Sequence, residues 1–137
     1  MRKRNIFFVG IILCLVAAGV AYYLYQKPRT SLTDVSADYA IQAPELFSKF
    51  QQNELEANKQ FLNKIISVKG AVQSIQKSGG NMVIVLDAGP TTGGINCSMA
   101  AAPSDVSALK EGDSVQLKGR CTGFLMDVNI TDAVIEK

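Results

Sequence analysis

The chain has 137 residues, with 14 Lys+Arg, 12 Asp+Glu and no His. That length suits about one domain, and the lack of His excludes His-based catalytic triads and His-ligated metals. Residues 6–25 hold 18 apolar residues, two glycines and no charge. Without them about 39% of the chain is apolar, low-normal for a soluble domain. Arg2, Lys3 and Arg4 account for the positive excess, because from Gln26 onward 11 basic residues face 12 acidic ones. A near-neutral body removes the simplest support for nucleic-acid binding.

Ile6 to Tyr25 is predicted to form a transmembrane helix, making residues 1–25 an N-terminal anchor. At ~1.5 Å per residue the run spans roughly 30 Å, the thickness of a hydrocarbon core. Arg2, Lys3 and Arg4 precede it, and Lys27 and Arg29 follow, so the basic bias modestly favours a cytoplasmic N-terminus. Tyr22, Tyr23 and Tyr25 suit the far interface. A cleaved signal peptide is the alternative, with Gly19-Val20-Ala21 as its small-residue site. Both readings place the rest of the chain outside the cytoplasm. Cys14 reads as a small apolar residue within the span.

Residues 26–42 carry Pro28, Thr30, Ser31, Thr33, Asp34 and Ser36 without a helical or strand period, and read as a linker. Tyr39-Ala40-Ile41 stands where that linker would enter the fold, and residues 43–137 form the domain. Pro44 at a first helical position and Glu45 in the first turn open a short helix. Leu46, Phe47 and Phe50 share its apolar face. Asn53 caps a second helix whose buried side is expected to be Leu55, Phe61 and Leu62.

From Lys64 the apolar period becomes two. Ile66, Val68 and Val72 share a face, whereas Ile75 has the opposite parity, so a bulge or bend is predicted between Gly70 and Ser74. Ser78-Gly79-Gly80-Asn81 is a turn before the apolar strand Met82–Leu86. Ile95, Cys97 and Met99 alternate with Asn96 and Ser98 in a third strand. Pro103 to Leu109 suits one short helix. Val115, Leu117, Gly119 and Cys121 alternate with Gln116, Lys118 and Arg120, and a last strand runs from Asp127 to about Glu136. Three strands, a helix, then two strands, with a long first strand bent at a glycine, is the order of an OB-fold, a five-stranded Greek-key barrel. The expected class is mainly β, with two short preceding α-helices and an N-terminal transmembrane helix.

The stretch APELFSKFQQNELEANKQFLNKIISVKGAV, then INCS, then LKEGDSVQLKGRCTGFLMDVNITDAVI, resembles the tRNA-anti-like OB-fold family of small, membrane-anchored bacterial envelope proteins. Asn53-Glu54, Ala57-Asn58, Gly112-Asp113, Gly119 and Cys121-Thr122-Gly123 carry the resemblance, over residues ~38–136. It implies a single-pass inner-membrane protein with its C-terminal domain in the periplasm or outside the cell. Members often carry a further Cys in the last strand, where this chain reads Thr131-Asp132-Ala133-Val134.

Cys97 and Cys121 both fall on the apolar parity of their strands. Outside the cytoplasm they form either a disulfide across the barrel interior or two separate buried thiols. The run Gly89–Gly94 lacks the Lys-Ser/Thr and the helix of a phosphate cradle and reads as a loop. Phe124, Leu125 and Met126 occupy the loop between the last two strands, where they either form an exposed patch or plug the barrel end. Lys69, Lys118 and Arg120 either make a small basic cluster or lie on a solvated face. Between Met82 and Met99 there is neither an aromatic nor a basic residue for stacking bases or tracking phosphates. The carboxylates show no metal-loop spacing.

The expected function is that of a non-enzymatic binding module without a cofactor, recognising an envelope protein or small ligand through Phe124, Leu125, Met126, Lys118 and Arg120. Nucleic acid is not expected as the partner. A nucleic-acid-binding OB-fold protein is the alternative.

Overall fold

The computed structural model describes residues 2–26, 32–78, 80–90, 92–99, 106 and 108–136. The chain divides into two units, Met1–Thr30 and Ser31–Lys137. The first is helix α1, Arg2–Gln26. Its stretch Phe8–Gln26 has a mean hydropathy of 2.2 and none of it is buried, so it is long and apolar enough to cross a bilayer. Its place near the N-terminus fits a membrane anchor and a signal sequence alike.

The second unit is a closed five-stranded barrel with one additional strand. A 3-10 turn at Leu32–Asp34 leads to β1 (Tyr39–Gln42), α2 (Ala43–Gln52) and α3 (Glu54–Phe61). Then come β2 (Ile65–Ser78), β3 (Asn81–Asp87), β4 (Gly94–Met99), β5 (Ser114–Phe124) and β6 (Val128–Ile135). Strands run β2-β3-β4-β6-β5, and β5 pairs back onto β2 to close the cylinder. Closure pairs most of the strand edges and leaves little open backbone to recruit another chain. The β4–β6 contact is parallel; the other barrel pairings are antiparallel.

β2 reaches both neighbours because it is long and bent. Its register with β3 shifts between Val72 and Ser74, the bulge that the parity change at Ile75 predicts. Beyond the bulge Ile75 packs against the core. Gly70 is required for a different reason: a Cβ there would lie 2.8 Å from the Cβ of Ala43, the first residue of α2.

The stretch expected as a linker is folded from Leu32 onward. Leu32 is buried. β1 pairs in parallel with Ile66–Lys69 of β2, on the edge opposite β5. The backbone N–H of Asp38 donates to Ile65 O at 2.7 Å, and its carboxylate accepts from Ile65 N at 3.0 Å. Four residues paired to a half-open edge are too few for a readable period-two pattern. The helix expected from Pro103 to Leu109 falls largely outside the described residues. Val106 is buried and Leu109 packs on the core.

Ile66, Val68, Ile84, Leu86, Ile95, Cys97, Leu117 and Ile130 fill the barrel. α2 and α3 cover it with Phe47, Phe50 and Phe61, all fully buried, whereas Leu55 and Leu62, expected on the same buried side as Phe61, are exposed. Each such aromatic stabilises the fold by roughly 1.5–3 kcal/mol through burial alone. Asn53 joins the two helices, its N–H closing α2 onto Lys49 O and its side-chain oxygen accepting from Glu56 N at 3.2 Å. That is the expected N-cap.

Candidate ligand-binding face

Alternation along β3 and β4 sends Met82, Ile84, Leu86, Ile95, Cys97 and Met99 inward. It leaves Val83 and Val85 on the outside, opposite Ser98 and Asn96. Asn96 in turn lies opposite Asn129 of β6. The barrel curvature and the bulge of β2 bring Gln73 and Gln76 to the same surface. The result is a concavity of about 600 Å³ whose lining also includes Gly93, Gly94, Asp127 and Thr131. Its size is that of a small-ligand site.

Asp127 organises one end. Its carboxylate accepts from Gly94 N at 2.7 Å and from Asn96 Nδ2 at 3.2 Å. Its main-chain oxygen accepts from Asn129 Nδ2 and from Leu125 N, both at 3.2 Å. The loop between β5 and β6 is thereby fastened to the start of β4. Gly93 permits this approach, since a Cβ there would lie 2.9 Å from Met126 O. Among the described lining residues Asp127 is the one ionisable side chain, and none is aromatic.

The residues singled out from sequence do not converge. Phe124 is half-buried, stacked on Phe50 at 5.7 Å and edge-on to Phe47 at 5.7 Å. It anchors the loop beneath α2, while Leu125 and Met126 remain 86% and 77% exposed. Lys118 lies on the outward parity yet is buried. Its Nζ sits 3.4 Å from Glu136 Oε1 and donates to Thr33 O at 3.2 Å. Arg120 donates from Nη1 to Asn63 O at 3.0 Å. Lys69 lines a separate depression with Gln42, Glu45 and Gln116. With Lys118 buried against Glu136, only Lys69 and Arg120 of the three are left as surface cations.

The disulfide reading is corrected. Cys97 and Cys121 are free and buried. Each lies opposite Ile130, so one whole strand separates them. Two strand spacings are about 9.5 Å, beyond the ~7 Å Cα limit for a bridge. Burial pushes the Cys97 thiol up to about 12 and raises that of Cys121 as well, so neither is a ready thiolate.

Sequence reasoning passed over Gln73, Gln76, Asn96, Ser98, Asn129 and Thr131, because outward polar residues occur on any solvated strand. The available signal was the lack of charge from Met82 to Met99, except Asp87.

The family model tRNA_anti-like matches residues 1–133. The chain belongs to this family. A tRNA_anti-like protein with this strand order is also similar to several solved structures. One is a Klebsiella pneumoniae protein named as a "putative nucleic acid-binding lipoprotein". It shares 19% identity over 71% of this chain and 91% of that one, with a TM-score of 0.59, a likeness of fold. An asparaginyl-tRNA synthetase from Entamoeba histolytica matches at 16% identity, over 54% of this chain and 21% of its own, with a TM-score of 0.43. The Stn1-ten1 complex of S. pombe matches at 14%, over 53% and 58%, with a TM-score of 0.43. No curated protein matches the sequence.

Proposed function

We propose that this tRNA_anti-like protein is a non-enzymatic binding module of the bacterial envelope, tethered by α1 with its N-terminus in the cytoplasm and its barrel outside. The outer β3–β4–β6 face is its docking surface. The concavity of about 600 Å³ carries this reading. It lies on the outer wall of a closed barrel, where outward side chains are the main thing offered to a ligand. The main-chain oxygen of Met126 comes close to Gly93 at the edge of the concavity, whereas Leu125 lines a neighbouring depression with Leu62 and Phe124. We take the exposed tip Leu125-Met126 as an apolar neighbour of this face, on a loop that Phe124 anchors. The apolar α1, preceded by Arg2, Lys3 and Arg4, supports the tether and its orientation.

A photo-crosslinking residue at Ser98 of the full chain in native membranes tests the face, with the same residue at Glu111, in an exposed turn, as the control. The reading expects product from Ser98 and not from Glu111. Equal yields, or none from Ser98, contradict it.

Nucleic-acid binding is the second reading. The name of the Klebsiella protein favours it, so the expectation that nucleic acid is excluded does not stand. Phosphate contacts would give an affinity that falls steeply with salt. Retention of oligo-dT or tRNA at low ionic strength, lost at physiological salt, would support this reading. No retention at micromolar protein would remove it.

A further inference from the structure

We propose that the β3–β4–β6 face binds a neutral oligosaccharide, an inference that rests on that face being the docking surface. Its polar groups are amides and hydroxyls: Asn96, Ser98, Asn129 and Thr131, with Gln73 and Gln76 beside them. Each amide carries a donor and an acceptor in one plane, and each hydroxyl does both. The rim of a sugar ring presents the same alternation of donors and acceptors.

Charge points the same way. The one ionisable group in the described lining is the Asp127 carboxylate, with one donor on each oxygen. A carboxylate oxygen accepts more than one hydrogen bond, so ligand hydroxyls are welcome there, whereas phosphates are repelled. Val83 and Val85 give an apolar strip between the polar rows, suited to the C–H face of a sugar.

Other polymers fit less well. Strand addition by a peptide needs a free edge, and β3 is paired on both sides from Met82 to Leu86, while β4 and β6 are paired to each other over Ile95–Cys97 and Val128–Ile130. A nucleic-acid strand needs cations for its backbone and aromatic rings for its bases. The described lining supplies neither.

The test is a titration of the full chain in detergent micelles with maltotriose, cellotriose and chitotriose, followed by amide NMR. Saturable shifts at Asn96, Ser98, Asn129 and Thr131 are expected with at least one sugar. Ser98→Ala combined with Thr131→Ala removes two hydroxyl partners and should weaken binding about tenfold. Asp127→Asn should weaken it too. Silence at these residues with all three sugars overturns the proposal, as does binding that survives undiminished in the double variant. Oligo-dT is the parallel arm. Shifts at the same residues with oligo-dT, strengthened by Asp127→Asn and without a sugar response, would replace sugar by nucleic acid and leave the face standing. Crosslinking from Ser98 without a sugar response would likewise keep the face and reject the sugar.

Discussion

Lys118 and Glu136 form an ion pair at 3.4 Å in which the lysine side chain is only 8% exposed. Glu136 also accepts from the Ser67 hydroxyl and from Gln116 Nε2 at 3.0 Å. Lys118 in turn holds Thr33 O at 3.2 Å. The network pins the 3-10 turn and the end of β6 to the outer side of β2 and β5. Removing Glu136 leaves the Lys118 charge largely out of water. Glu136→Ala is expected to cost about 3 kcal/mol, and Lys118→Met less, because it removes the buried charge itself. Urea unfolding of the detergent-solubilised chain measures both. Equal, negligible losses would contradict the burial of Lys118.

The same network fixes an acid response. The Ser67 hydroxyl holds the Glu136 carboxyl below its usual range, aided by Gln116 and Lys118 against the opposing effect of burial. A depressed folded-state value means stabilisation that is present above the unfolded value, about 4.3. It is lost as pH falls through the lower folded-state value. Unfolding midpoints should therefore drop below about pH 4, and drop less in Glu136→Gln. An identical acid profile in the variant would sink this assignment.

Gly119 has no room for a side chain, since a Cβ would strike Ile130 Cγ2 and come within 2.9 Å of Thr131 O. Gly119→Ala is expected to cost about 1–3 kcal/mol by overpacking, whereas Gly112→Ala meets no atom and strains only its φ of 90°. Unfolding of the two variants side by side checks the difference. A larger loss for Gly112→Ala would contradict the close approach of β5 and β6.

The loop after β5 divides into an anchor and a tip. Phe124→Ala removes a ring packed on Phe47 and Phe50 and should cost about 3 kcal/mol. Leu125→Ser and Met126→Ser should change stability by less than about 0.5 kcal/mol while reducing crosslinking from Ser98. Unaltered crosslinking would remove the tip from the docking surface.

Much of this barrel was legible in the sequence. Ile66, Val68 and Val72 against Ile75 foretold both a strand and its bulge, because parity must change where one residue is unpaired. Phe47, Phe50 and Phe61 were recognisable as helix faces. Lys118 was not legible as buried. Its parity is outward, and only the 3-10 turn, which carries no periodic signal, covers it. The separation of Cys97 and Cys121 was also hidden, since both have inward parity and the intervening Ile130 comes from the last strand. The candidate ligand face was hardest to see. Asn96, Ser98, Asn129 and Thr131 come from two strands whose adjacency depends on barrel closure.

The free state of the cysteines has its own check. Alkylation after unfolding without reductant should modify Cys14, Cys97 and Cys121, whereas the folded chain should leave Cys97 and Cys121 untouched. Modification of Cys14 alone after unfolding would restore the disulfide.

Display of the open β3–β4–β6 face outside the membrane underlies every use proposed for it. A cysteine placed at Ser98 in a Cys14→Ala background reads this directly, because buried Cys97 and Cys121 stay silent. In intact spheroplasts a membrane-impermeant maleimide is expected to label it as fully as in lysed cells. Labelling that appears only after lysis would contradict the placement of the face.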